Sequence, residues 1–593
     1  MYTNRQDFTA IAVGDIGKTR KKQSLWRSWN RLSSLQRSII CMMLILGTLS
    51  AIYVIPTIYK DYLKMQQDNQ VNVEKDLNDP GSKFAQDAVE DIKKKANNFK
   101  GKMETPAAAG GAPNPLDRDR GEPVQAPLVQ KPVGIKREFN GPQNEQQKAI
   151  VKAFKHAWSA YKKYAWGHDE LYPVSRTFNE WFNLGLTLVD SLDTMYIMGL
   201  KEEFKEARDW VQESLNLDVN RDVNLFETTI RVLGGLLSAY HLSQDEVFLD
   251  KARDLGDRLL PAFKTPSGVP YSDVNLKSHT ARAPRWGPDS STAEVTTIQL
   301  EFTDLSRATG DPKYEEAAMK VTHHVHKLKK KDGLIPIFIN ANTGQLRNSA
   351  TITLGARGDS YYEYLLKMWL QTGKKDDTLK GDYVEAVAGI EKHLLRYSEP
   401  SKLMYFGELL GGHSFSPKMD HLVCFLAGSL ALGTHNGLKE EHLELGKKLA
   451  QTCFEMYRRM PTGLSPEIVY FNMVPEANED LIVKPADAHN LLRPETLESL
   501  FILYRITGDK KYRDWGWKIF LGFEKYTKLP EGYTSINNVK SPGSPGLRNK
   551  MESFFLGETL KYLYLLFSDD PNVISLDEFV INTEGHPLPR HSS

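Results

Sequence analysis

Five carboxylates share one setting: Glu227, Glu294, Asp359, Glu495 and Glu552 each precede an apolar stretch with helical spacing, and Arg231, Arg285, Arg357 and Arg493 stand close to them. Helix starts favour acids as caps and through the macrodipole, by about 0.3–1 kcal/mol each, and acid–arginine pairs also serve as plain structural salt bridges. That reading suits any one of these acids. It suits the set less well, because several are followed at once by apolar residues and belong at the lip of a core. Two carboxyl groups across a cavity are what glycoside hydrolysis needs, one to protonate the leaving oxygen and one to activate water or attack the sugar. Gathered carboxylates also raise one another's pKa and can hold a cation. Arginines and aromatics such as Trp286 and Phe554 suit sugar hydroxyls and faces. The structural and the chemical readings both stay open at this point.

The segments that position these acids repeat. Behind Glu495, Leu497, Leu500, Phe501 and Tyr504 fall on one helical face, which stops at Thr507-Gly508-Asp509. The same plan follows Glu227, Glu294, Asp359 and Glu552, returns at Asp420, and has an earlier copy, LVDSLDTMYIMG, with Asp190 and Asp193. About seven apolar helices result, most followed by a more polar one such as FLDKARDLGDRLL. Such helical hairpins cannot bury their apolar faces alone and must stack. If the apolar helices run the same way, their acidic starts meet at one end. Residues 334–355, 465–485 and 532–550 alternate in pattern and read as β-hairpins at that end, and the tail VISLDEFVINTEGHPLPR reads as strand-like. His323, His324 and His326 read as the solvated face of an outer helix, with no further ligand at a zinc spacing. His421, after Asp420 at the head of an inner helix, sits where the other acids do and is a possible active-site residue.

The chain has 593 residues and a net charge of +1, which gives no reason to expect a nucleic-acid partner. Residues 1–37 are polar and basic, and residues 38–59 carry no charge and are long enough to cross a bilayer core of about 30 Å. The basic flank comes first, so the positive-inside rule predicts a type II membrane anchor with everything after it in the lumen. Residues 60–137 have the composition of an unfolded stem, and a folded domain is expected over 138–593. Cys41 lies in the apolar run, leaving Cys424 and Cys453 as the downstream pair; in a lumenal compartment they are expected to form a disulfide. No Asn-X-Ser/Thr sequon is present, so N-glycosylation is not expected.

NLFETTIR, RWGPDSSTAEVTTIQLEF, LGARGDSYYEYLLK, KMDHLVCFL, LLRPETLESLFILYR, KMESFFLGETLKYLYLLF and FVINTEGHPL, in this order, resemble the motifs of class I α1,2-mannosidases, glycoside hydrolase family 47. The resemblance covers about residues 140–590, and the tail, membrane helix and stem resemble animal endoplasmic-reticulum members. It implies an all-α (αα)7 barrel and Ca²⁺-dependent, inverting removal of α1,2-linked mannose from high-mannose N-glycans, in glycoprotein maturation and quality control. Glu227 would be the general acid, Glu495 the general base and Asp359 a third essential acid, the proton donor lying between Glu227 and Asp359. Thr583 would bind Ca²⁺, with Glu294, Glu552, Glu558 and Glu584 holding its waters. Phe554 would floor the sugar subsite, with Arg231, Arg357, Arg493 and Glu558 on the substrate. Cys424 and Cys453 match the family's disulfide. Golgi members tend to carry a smaller apolar residue in place of Arg357, so the implied preference is removal of one mannose from the middle branch. Residence in the endoplasmic reticulum, with possible cycling to the Golgi, is implied by the same likeness. The rival expectation is a lectin-like relative that binds mannose glycans on misfolded glycoproteins with little turnover.

Overall fold

The computed structural model describes residues 136–284 and 287–591. The expected membrane helix over 38–59, nearly all of the stem, Arg285 and Trp286 lie outside the described residues. Among the described residues no helix is long and apolar enough to cross a membrane.

The fold is mostly helical and built from two kinds of helix. Outer helices are amphipathic: Glu246–Leu259 buries Phe248, Leu249, Ala252, Leu255, Gly256 and Leu259, one stripe at helical spacing. Glu145–Tyr164, Lys201–Glu213, Lys313–Lys327, Asp377–His393, Glu441–Arg458 and Lys511–Tyr526 share this pattern. Inner helices are apolar nearly all round, and in Asp359–Gln371 every residue from Ser360 to Gln371 is buried.

Inner helices pack side by side. In order they are Leu192–Ile197, Gly234–Ser243, Gln299–Thr309, Asp359–Gln371, Phe425–His435, Glu495–Thr507 and Leu560–Leu566. Each touches the next, and the turn Phe555–Thr559 that leads into the last packs back on the first, so the ring closes. Each is reached through an outer helix, so the inner helices all run the same way and begin at one end of the barrel.

Short strands occupy that end. Asp222–Asn224, Asp289–Ser291 and Lys418–Asp420 each lead directly into an inner segment. Of the three expected hairpins, residues 465–485 form one with two regular strands, Ile468–Phe471 on Leu481–Ile482. In 334–355 the strand Phe338–Asn340 pairs with Asp289–Ser291, far back in the chain, and turns back on its own segment through the single bridge Ile339–Leu346. Residues 532–550 make only isolated bridges, such as Ile536 with Leu547. Pro542 and Pro545 lack the N–H that a ladder needs, and Gly543 and Gly546 weaken what remains.

The C-terminal tail goes inside. Phe579–Ile581 pairs with Pro587–Pro589, and this hairpin packs on the inner helices Gly234–Ser243, Gln299–Thr309 and Asp359–Gln371, plugging the barrel. At its turn Asn582 is fully buried, donating to the Ile230 carbonyl (3.0 Å) and the Glu301 carboxylate (2.7 Å) and accepting from the Glu584 and His586 N–H groups. Two inner helices begin with a π-helical turn, Thr228–Leu233 and Phe555–Thr559, the kind of bulge that often marks a functional site.

Close packing between the two layers sets opposite signs for two glycine substitutions. A Cβ on Gly446 would stand 2.7 Å from the Ala427 carbonyl oxygen on the neighbouring inner helix, whereas one on Gly381 in an outer helix meets nothing. Gly446→Ala is expected to destabilise by about 1–3 kcal/mol, and Gly381→Ala to stabilise by about 0.5–1 kcal/mol; chemical denaturation of both variants checks the pair.

Candidate active site

The acids at the heads of the inner helices are not the caps of those helices. Asn224 caps the turn that carries Glu227, accepting from the Glu227 N–H at 2.8 Å, and Ser291 does the same for Glu294. In a capping box the acid at this position reaches back to the cap's own N–H. Here the Glu227 carboxylate instead accepts from Arg231 Nε (2.9 Å), and Glu294 from the Asn224 side chain (3.3 Å). The capping groups are the short polar residues, which leaves the carboxylates for other work.

The acids form two tiers. Glu227, Glu294, Asp359, Asp420, Glu495 and Glu552 are partly exposed, lining the mouth of the barrel. One turn deeper lie Glu363, Glu498, Glu558 and Glu584, with Asp190 and Asp193 beneath, all buried. The fixed cations among this lower set are Arg231, Lys367 and Lys561. Lys367 Nζ bridges Glu363 (2.6 Å) and Glu498 (3.1 Å), and Lys561 Nζ pairs with Asp193 (2.8 Å) and the Gly585 carbonyl (2.7 Å). His586 spans Asp190 (3.1 Å) and Asp193 (2.8 Å). Arg231 also reaches Glu584 and, at 3.1 Å, the Ser553 hydroxyl.

Negative charge remains in excess. Burial, then repulsion from Glu584, Glu495, Asp190 and Glu498, pushes Glu558 well above the usual carboxylate range, and it finds no hydrogen-bond donor or cation among the described residues. Burial raises Glu584 in the same way despite Arg231. Burial and neighbouring Glu363 bring Glu498 up to about 7 against the pull of Lys367.

Two mouth carboxylates are driven apart. Asp359 is pushed up to about 8, by burial first and then by Glu363, Asp420 and Glu495, while the Ser360 N–H donates to it at 2.9 Å. Glu495 also loses hydration, yet ends below its ordinary value, because His421 Nδ1 bonds its Oε2 at 2.7 Å and Arg493 stands 3.6 Å from Oε1. Arg493 is itself fixed by Glu467 at 2.6 Å. One group is held as an acid and the other as a carboxylate.

Phe554 lies between two guanidinium groups, with Arg231 5.7 Å and Arg493 5.8 Å from its ring centre. Arg357 sits at the rim in a left-handed conformation (φ 75°), its guanidinium 5.4 Å from the Phe338 ring centre and its carbonyl accepting from the Ala293 N–H. Thr583, at the hairpin turn, donates its hydroxyl to Glu363 Oε2 at 2.8 Å. Of the acids expected around Thr583, Glu584 is its neighbour in sequence and Glu558 packs on Gly585. Glu294 is held near Glu227 and Arg357, and Glu552 pairs with Lys550 at 2.9 Å. Helical periodicity alone does not mark Glu363, Glu498, Lys367 or Lys561. Their signal is a charge inside an apolar helix, one turn or more below a head residue. His324 and His326 lie on the outer helix Lys313–Lys327, bonded to the Gly344 carbonyl and to Asp382.

The chain belongs to glycosyl hydrolase family 47, whose model matches residues 153–590. It is 62% identical to the human endoplasmic reticulum mannosyl-oligosaccharide 1,2-alpha-mannosidase over 75% of this chain and 64% of that protein. Against the enzyme of the same name from Rattus norvegicus it is 50% identical over 98% of each chain. In structure it matches an alpha-1,2-mannosidase from Trichoderma reesei at a TM-score of 0.71, with 31% identity, over 76% of this chain and all of that one.

Asp359 sets a testable cost. Its folded-state pKa lies above its unfolded one, so folding takes up a proton, and stability falls as pH rises from near 4 toward 8. Asp359→Asn removes that loss. In chelator, the variant is expected to melt close to the parent near pH 4 and progressively above it up to pH 8; a constant difference across this range would contradict the assignment.

Proposed function

We propose that the chain is a calcium-dependent, inverting α1,2-mannosidase that removes a terminal mannose from high-mannose N-glycans, taking the nine-mannose glycan to an eight-mannose product. The observation that carries this reading is the pairing of a carboxylate kept ionised, Glu495, with a carboxyl kept protonated, Asp359, in one chamber. Hydrolysis with inversion needs such a pair. Glu495 takes a proton from the attacking water as its oxygen bonds to the anomeric carbon. A carboxylic acid gives a proton to the departing glycosidic oxygen. Of the two candidate donors, Asp359 has surroundings that favour the protonated form, and Glu227, which accepts from Arg231, is suited to orient a water or the leaving sugar. Phe554 offers an apolar face flanked by Arg231 and Arg493 for sugar hydroxyls, and Arg357 at the rim is placed to restrict which branch enters.

The donor set fits calcium. Among the described residues no group of three or more His, Cys, Asp or Glu is arranged to hold an ion. Thr583, however, gives its hydroxyl proton to Glu363, which leaves its oxygen lone pairs available. Glu558 has no cation beside it among the described residues, and Glu584 shares Arg231 with Glu227, so the buried carboxyl groups outnumber the cations. A hard cation that accepts one protein oxygen and several waters suits this surrounding. Thr583 would bind it directly, with Glu363, Glu558 and Glu584 holding the waters. When bound, calcium would supply positive charge that orients sugar hydroxyls and water.

We place the protein in the endoplasmic reticulum as a type II membrane protein acting in glycoprotein maturation and quality control; the names of its relatives and the basic, then apolar N-terminal sequence support this. Mannose release from a nine-mannose glycan, with the product isomer followed, tests the activity. One mannose is expected to be lost, release should stop with chelator and return with Ca²⁺, and Glu495→Gln should abolish it. Thr583→Ala is expected to raise the calcium needed for half-maximal activity by about 10-fold or more. Glycan binding without release in saturating Ca²⁺ would favour a lectin instead.

A further inference from the structure

His421 is sealed in the wall behind Glu495, and its two ring nitrogens face different chemistry. Nδ1 lies 2.7 Å from Glu495 Oε2, which as a carboxylate can only accept. That nitrogen therefore carries the proton. In the neutral ring Nε2 is then an acceptor. It meets the Tyr457 hydroxyl at 2.8 Å and the Thr496 hydroxyl at 3.1 Å. The Tyr457 hydroxyl is buried, and burial, followed by the charge of Glu495, raises its pKa, so it stays an O–H donor. A phenylalanine would fill the same space and stack edge-on against the imidazole equally well. What the hydroxyl adds is a donor at Nε2, which reinforces the tautomer that Glu495 requires.

We propose that Tyr457 is a positioning residue for Glu495: through His421 it fixes which imidazole nitrogen carries the proton and so holds one carboxylate oxygen while leaving the other toward the chamber. The proposal rests on Glu495 being the base. Tyr457 belongs to the buried stripe of a different layer from Glu495. It is on the outer helix Glu441–Arg458, a layer away from the chamber, while His421 opens the turn His421–Cys424. The disulfide Cys424–Cys453 joins these two elements, three residues after His421 and four before Tyr457. One helical turn puts Cys453 and Tyr457 on the same face. The cross-link therefore staples the outer helix to the turn at the point where the hydrogen bond is made.

The charged groups around this relay are few. Arg493 faces Glu495 from its own segment, and Glu467 faces Arg493. The charge of Glu495 in turn raises Asp359, Glu498 and Glu558, on its own helix and on other inner segments. His421 itself meets only Glu495, Tyr457 and Thr496 through side-chain hydrogen bonds.

The test combines Tyr457→Phe, Thr496→Val and His421→Ala with the double variant Tyr457→Phe/His421→Ala, in the full-length protein with saturating Ca²⁺. With Tyr457→Phe, part of the population loses the N–H that His421 donates to Glu495. The carboxylate then protonates more easily, so the acid limb of kcat/KM is expected to move to higher pH. A fall in kcat of about 10-fold is expected, below the usual effect of removing a general base, with KM within about twofold. Thr496→Val should move the limb in the same direction by less. In the His421→Ala background, Tyr457→Phe should change nothing further, since a residue acting through another is not additive with it. Nitrogen-15 NMR of the parent is expected to show His421 protonated at Nδ1, a readout independent of activity and of how the variants fold. An Nε2-protonated ring, a Tyr457→Phe pH profile that overlays the parent, or fully additive losses in the double variant would each overturn the proposal. If instead Glu495→Gln kept full activity, the assignment of the base would fail, which is a separate result.

Discussion

The interior of this barrel holds more negative charge than its fixed cations neutralise, and much of the architecture answers to that constraint. A buried, unpaired carboxylate is expensive enough that it ordinarily takes up a proton. Each acid below the mouth is therefore either bridged or shifted. Lys367 bridges Glu363 and Glu498, and Lys561 and His586 hold Asp193. Arg231 ties Glu227, one turn before it on the same segment, to Glu584 in the C-terminal hairpin. Glu558 has none of these partners. Such an arrangement is a poor way to stabilise a core, since burying ion pairs seldom gains over packing apolar groups. Under the proposed function it is a way to keep a cation and a polar substrate inside the barrel.

The C-terminal hairpin is what makes the charge arrangement work as one unit. It enters the ring from the end of the chain, and its turn is gripped by residues from five inner segments: Ile230, Glu301, Tyr364, Lys561 and the Asp190–Asp193 pair. Thr583 is consequently held by the barrel as a whole. The π-helical turns after Glu227 and around Glu558 serve a related end. An extra residue in a turn rotates the rest of the helix, so Arg231 and Glu558 can face the chamber while the remaining residues keep their apolar contacts.

Much of this was legible in the sequence, because one physical pattern repeats. Apolar runs at helical spacing, each headed by an acid, are read from local order alone, and the inner helices with Glu227, Glu294, Asp359, Glu495 and Glu552 at their starts lie where that pattern puts them. The lysines at 367 and 561 break otherwise apolar runs and so carried a signal that periodicity treats as noise. Thr583 carried none of its own: a threonine in a short tail is unremarkable until the tail is seen inside the ring. Pairing over long separations was the other blind spot. Nothing local couples Phe338–Asn340 to Asp289–Ser291, or His586 to Asp190.

The division of labour between the two mouth carboxylates shows where specificity of chemistry resides. Asp359 and Glu495 both head inner helices, both face the chamber and both are penalised by burial, so the helix and its macrodipole treat them alike. Their opposite protonation comes from what other elements bring. Asp359 receives one backbone N–H and stands among Glu363, Asp420 and Glu495. Glu495 receives an imidazole N–H and a guanidinium, the first from a turn that a disulfide ties to the outer layer and the second held in place by Glu467. In the proposed function acid and base are thus assigned by their neighbours, and a barrel with the same ring of carboxylates but without that wall behind Glu495 would hold two acids and no base.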